Sequence, residues 1–192
     1  KYMGRISNVF SDKRVEKKEK EGEHKKMKKW FIHKHGSEDE SEKILLKKLK
    51  DEGIDQKDVK KAVSDRSDEA RAIAEDEDKA QELIDKVEKL CRKLQNLPEP
   101  LSTVFADIPV LCNLILDYSR GNYREIPLAT VIVIIAGLLY LVSPIDLMPD
   151  AIPVVGLLDD GLVLLYVLRT AHNDLMSYEE WREENESFST EE

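Results

Sequence analysis

Apolar residues are spaced along this chain in two distinct ways, and each spacing predicts a different kind of helix. Between residues 38 and 97 they recur every three or four positions among charged neighbours, which predicts amphipathic helices with one buried face. Glu38–Asp51 turns Ile44, Leu45 and Leu49 to one side, Gly53 ends it, and Asp55 caps a second short helix through Val63. A longer helix is expected from near Ser67, where an acidic first turn follows a cap residue. Its Ile73, Ala80, Val87 and Leu94 repeat every seven residues, and Leu83, Leu90 and Leu97 do the same three places later. Such a stripe, about 45 Å long, docks on its own chain or zips to a second copy. The small Ala80 and the acidic stretch 75–78 weaken its start, which favours intrachain packing. A homo-oligomer through residues 73–97 is the alternative.

Pro98-Glu99-Pro100 closes that helix and marks a module boundary. Pro109 then separates a lead-in from a helix Val110–Ser119, with Gly121 placed as its C-terminal cap. From here the spacing changes. Ile126–Ile145 carries no charge and contains twelve Leu, Ile or Val, and Ala151–Leu168 contains eleven, interrupted by Asp159-Asp160. Between them lies SPIDLMPD. Ser143, Pro144 and Asp146 read as an N-cap, a first-turn proline and an acid at N3, and Pro149 followed by Asp150 forbids a long continuation. These two stretches therefore predict an apolar helical hairpin, 126–168, closed by a Pro/Asp-rich structural turn. Strand-like alternation of useful length is lacking, and the expected fold class is all-α: a helical bundle with the hairpin and the longer amphipathic helix.

From about Ala106 to Trp181 the chain resembles the YkvA-like family of uncharacterised bacterial proteins. The resemblance rests on DIPVLCNLILDYSRGNYREIP (107–127), on YLVSPIDLMPDAIPVVGLLDD (140–160) and on the apolar helix with Arg169 that follows. It implies a helical hairpin associated with membranes, and it implies no reaction, substrate or cofactor.

A hairpin this apolar suits either a bilayer or a protein core. Twelve Leu, Ile or Val contribute about -4 to -7 kcal/mol toward insertion, and twenty residues match a core of ~30 Å. Asp159 and Asp160 oppose insertion of the second arm by about 2.5 to 3.5 kcal/mol each. A shallow or re-entrant hairpin fits this balance better than two full crossings. Arg120 and Arg124 before the hairpin and Arg169 after it, with no basic residue in the turn, place both termini on the cytoplasmic side. If the hairpin is instead a buried core, the expected location is the cytoplasm. Tyr123 and Tyr140, about 25 Å apart on a helix, suit two interfacial rings, and Tyr118, Arg120, Tyr123 and Arg124 could grip a phosphate or headgroup, a structural turn with snorkelling arginines being the favoured alternative.

Charge sharpens the picture. Residues 1–36 carry a net +7 and the remainder -16, within a total of -9. A basic arm on an acidic body seeks an anionic membrane surface and speaks against a chain that wraps nucleic acid. Within the arm, Lys25, Lys26, Lys28 and Lys29 flank Trp30 and Phe31, a pairing of lysine and ring that suits headgroups, the alternative being a solvated tail whose Trp30 packs on the body. The resulting organisation is a basic arm 1–36, an amphipathic region 37–98 able to bind a protein partner, a helical domain 99–181 and an acidic tail 182–192. Cys91 and Cys112 read as buried free thiols. Asp146, Asp150, Asp159 and Asp160 could converge on a divalent metal, but helix capping and anchoring of the turn explain the same four residues without one and are the favoured reading. No phosphate loop, nucleophile elbow or zinc spacing appears and no cofactor is implied. The expectation is a non-enzymatic membrane-associated adaptor, with a soluble metal-binding, hydrolytic helical protein as the alternative.

Overall fold

The structure, a computed structural model, describes residues 47, 56–94, 97, 101–143 and 153–188. Among the described residues every regular element is a helix: α1 (Gln56–Ser64), α2 (Ser67–Ala74), α3 (Glu77–Lys93), α4 (Leu101–Phe105), α5 (Ile108–Ser119), α6 (Leu128–Val142) and α7 (Pro153–Phe188). The chain is all-α. The basic arm and, apart from Lys47, the helix expected at 38–51 lie outside the described residues.

The helix expected to run on from Ser67 is two helices. Asp76 adopts an extended backbone (φ -136, ψ 110) and its side chain accepts from the Lys79 N–H at 3.1 Å. A capping carboxylate that satisfies an orphan amide starts a new helix more readily than it continues an old one. The heptad stripe crosses this break and turns inward. Ile73, Ala80, Leu83 and Val87 are buried, while Leu90, Leu94 and Leu97 are partly buried against the same core. Both α2 and α3 pack on α6, and α3 also packs on α5.

Helix α5 begins with Pro109 in its first turn, where a missing N–H does no harm. It ends at Ser119 with Arg120 as its C-cap, and Gly121 just beyond has a left-handed φ of +79°. Because a Cβ there would meet nothing within 4 Å, backbone conformation and not space accounts for glycine. The stretch Leu101–Ser119 is apolar and long enough to cross a membrane by composition, yet 67% of it is buried inside the protein.

Helix α6 is apolar on every side, and such a helix must lie in a core or in lipid. Here Ile134–Leu138 is buried throughout, with α1, α2, α3, α5 and α7 packed around it. At 15 residues, α6 is about 22 Å long, short of a ~30 Å hydrocarbon core. Its partner α7 is longer than the sequence suggests and continues 20 residues past Leu168 to Phe188. Leu162–Leu165, Val167 and Leu168 are buried, and beyond them burial narrows to the stripe Ala171, Leu175, Tyr178 and Arg182. The described part of the apolar hairpin is thus largely packed against the protein's own helices, with Leu128, Ile132, Val133, Leu139 and Val142 partly buried.

Helices α6 and α7 run antiparallel and touch closely at Gly137. A methyl group added there would collide with Val167 Cγ2 and reach Val163 Cγ1 at 3.8 Å. Val167 is stiff at χ1 and fully buried, so it cannot swing aside. We expect Gly137→Ala to lower stability by about 1–2 kcal/mol by urea denaturation, overpacking outweighing the roughly 1 kcal/mol gained in helix propensity. A second change, Val167→Ala, should restore much of that loss; no restoration would mean that the crossing does not set the penalty.

Candidate functional site

The residues carrying the family resemblance gather at the two ends of the α6–α7 pair. At one end the Tyr140 hydroxyl donates to Asp159 Oδ2, and the Arg66 guanidinium lies 5.0 Å over the Tyr140 ring. Desolvation first, and then the bond to Asp159, raise the Tyr140 pKa well above the ordinary phenol value. Asp160 is half-buried beside it. Ser143 has the extended backbone of a residue leading into a proline (φ -70, ψ 130), and its N–H donates to the Tyr140 carbonyl at 3.2 Å. Pro144, Asp146, Pro149 and Asp150 lie outside the described residues. Among the described residues no group of three or more His, Cys, Asp or Glu could hold a metal ion.

The other end is built on Asp117, near the end of α5. Its Oδ2 accepts from the Tyr178 hydroxyl at 2.5 Å, and its Oδ1 accepts from Asn122 Nδ2 at 3.1 Å. Its carbonyl accepts from the N–H groups of Asn122 and Tyr123 at 2.9 and 3.2 Å. One residue therefore fastens the turn around Gly121 and the distal half of α7. Tyr123, only 2% exposed, packs its ring 5.2 Å from Tyr178 and 5.1 Å from Trp181. That position gives Tyr123 a packing role where the sequence suggests an interfacial ring. Arg120 donates to Glu77 Oε1 at 2.9 Å and to Gln81, on α3, while Arg124 lies 4.3 Å over the Tyr118 ring with its side chain exposed. A third tie joins α6 to α7, where Thr130 Oγ1 donates to Asp174 Oδ2 at 2.6 Å. Lys25, Lys26, Lys28, Lys29, Trp30 and Phe31 lie outside the described residues.

The sequence offered little hint of several of these partners. Thr130 and Asp174 are 44 positions apart, and Asp117 and Tyr178 are 61 apart. The one available signal was Tyr178 and Trp181, two rings one turn apart on an otherwise acidic stretch.

The ties have a chemical consequence at high pH. Burial, followed by the bond to Asp117, also raises the pKa of Tyr178. An unfolded chain would release both phenolic protons at about pH 10, before the folded one does. The stabilisation is therefore complete below about pH 10 and is lost as pH rises beyond it. In a phenolate absorbance titration of the native protein, Tyr140 and Tyr178 should ionise only together with unfolding. Reversible ionisation of all six tyrosines in the folded state would contradict this.

Cys91 on α3 and Cys112 on α5 are free and buried, as the sequence indicates. Desolvation pushes the Cys91 thiol up to about 12 and the Cys112 thiol well above its ordinary value. Both are inert packing groups while the bundle is closed. Next to them Glu88 is buried, with Oε2 at 3.4 Å from Arg92 Nη1 and Oε1 without a hydrogen-bond partner.

Among the described residues the ensemble is a helical bundle packed around an apolar helix pair, with Asp117, Thr130 and Tyr140 tying helices together, and this architecture defines a class of protein. The family described as "Protein of unknown function (DUF1232)" matches residues 130–166, from α6 across the turn into α7. The "Uncharacterized membrane protein YkvA" of Bacillus subtilis (strain 168) is 32% identical over 75 residues, which cover 39% of this chain and 71% of that protein. The chain belongs to the YkvA-like family. No solved structure matches it.

Proposed function

We propose that this protein is a non-enzymatic, membrane-associated helical adaptor that reaches an anionic bilayer as a closed bundle. The reading is carried by the kinship with a protein named as a membrane protein, and the packing of five helices around α6, with Leu128, Ile132, Val133, Leu139 and Val142 partly buried, supports the closed bundle. Attraction falls to the basic arm, in which Lys25, Lys26, Lys28 and Lys29 meet anionic headgroups while Trp30 and Phe31 enter the interface. Both termini then lie on the cytoplasmic side, where the anionic leaflet is found.

Engagement of a protein partner falls to the outer faces of α1–α3, since their apolar faces are occupied within the chain. On α3 the outer face is charged, with Glu75 and Asp76 preceding it and Asp78, Glu82 and Asp85 along it. Flotation of the full chain with vesicles tests the membrane reading. Recovery with vesicles containing anionic lipid, reduced by salt or by neutral lipid alone, is expected. Recovery in the unbound fraction of every gradient would reject it.

A further inference from the structure

The ties between helices divide the bundle into two layers. Three hydroxyl–carboxylate bonds tie α5 and α6 to α7: Asp117 with Tyr178, Thr130 with Asp174, and Tyr140 with Asp159. By contrast, α1–α3 meet this trio mainly through apolar side chains, among them Val59, Val63, Ala70, Ile73, Leu83 and Val87. Polar contacts that cross between the layers include Arg120 with Glu77 and Gln81, at the surface, and Arg66 over Tyr140.

We propose that α1–α3 form a cover that lifts as a unit from the α5–α6–α7 trio and uncovers the apolar surface of α6 for lipid. The inference rests on the membrane reading above only for what occupies the uncovered face. Three physical arguments support it. Lipid tails are as apolar as the leucines and valines they would replace, so the bilayer compensates α6 for the apolar packing it gives up when the cover lifts. The three hydroxyl–carboxylate pairs lie within the trio, so lifting leaves them intact. The cover itself carries a buried carboxylate oxygen, Glu88 Oε1, that has no hydrogen-bond partner when closed and gains water when open. Freed from the trio, α1–α3 keep one apolar and one charged face, the form of helix that lies in a membrane interface.

Cys91 and Cys112 report the movement directly. One sits on the cover and the other on the trio, α3 and α5 pack together, and both thiols are 0% exposed. The experiment is maleimide labelling of the full chain in increasing urea, with the two thiols resolved by peptide mass, alongside amide hydrogen exchange. Both thiols should label at one common rate, with a urea dependence about half that of global unfolding, while amides of α6 stay protected. Vesicles containing anionic lipid should speed both by about tenfold in the absence of urea. Labelling that follows the urea dependence of global unfolding overturns the cover. Labelling by partial opening that vesicles leave unchanged overturns lipid as the occupant. Flotation with both thiols still protected removes the cover and leaves membrane association standing.

Discussion

Exchanging Lys25, Lys26, Lys28 and Lys29 for glutamine lowers affinity for anionic vesicles by about a thousandfold at low salt. The expectation follows from about 1 kcal/mol per basic side chain near an anionic surface, and roughly 4 kcal/mol is close to three decades in affinity. At physiological ionic strength the screening length falls to about 8 Å, and the difference between the parent and the variant should narrow. Trp30→Ala with Phe31→Ala should remove the part of the affinity that salt does not touch, because ring burial in the interface is apolar. Vesicle titrations across a range of salt measure both effects. Affinity unchanged in the lysine variant would move the membrane attachment from the arm to the bundle.

Asp117→Ala lowers the stability of the bundle by about 3 kcal/mol. Truncation strands the buried Tyr178 hydroxyl, a loss of about 1–3 kcal/mol, and also frees Asn122 from the turn. Asp117→Asn retains an acceptor and should lose less, about 1 kcal/mol. Tyr178→Phe removes the donor but leaves a carboxylate that water can reach, so its effect should again be near 1 kcal/mol. In the double-mutant cycle of Asp117→Ala with Tyr178→Phe, the pair should be coupled by about 1 kcal/mol or more. Strict additivity in urea unfolding would falsify the tie as a shared element and reduce both residues to independent packing.

Particular residues show how far the sequence could be read. The recurrence of Ile73, Ala80, Leu83 and Val87 announced a helical stripe with one inner face, and those residues line the core. Gly121 after Ser119 announced the end of α5, because only a residue at ease with positive φ suits that position. Asp76 was harder, since an acid can sit in a helix or cap one. The choice depends on whether neighbouring helices require the chain to turn there. Tyr123 misled for a related reason: the spacing of two tyrosines describes a straight helix, whereas the chain turns at Gly121 and sends Tyr123 inward onto Tyr178 and Trp181.

Local order along the chain was sufficient for the class of fold, because helix periodicity, caps and prolines act between near neighbours and are written where they act. The same holds for the charge contrast between arm and body, which is additive and needs no coordinates. Whether the apolar run 128–142 faces lipid or protein was not local information. Hydrophobicity is non-directional, so an all-round apolar helix is equally content with either neighbour. Only the packing of α1, α2, α3, α5 and α7 around Ile134–Leu138 chose protein for the closed bundle, and only the long-range meetings of Asp117, Thr130 and Tyr140 with α7 set which helices hold together when that packing is disturbed.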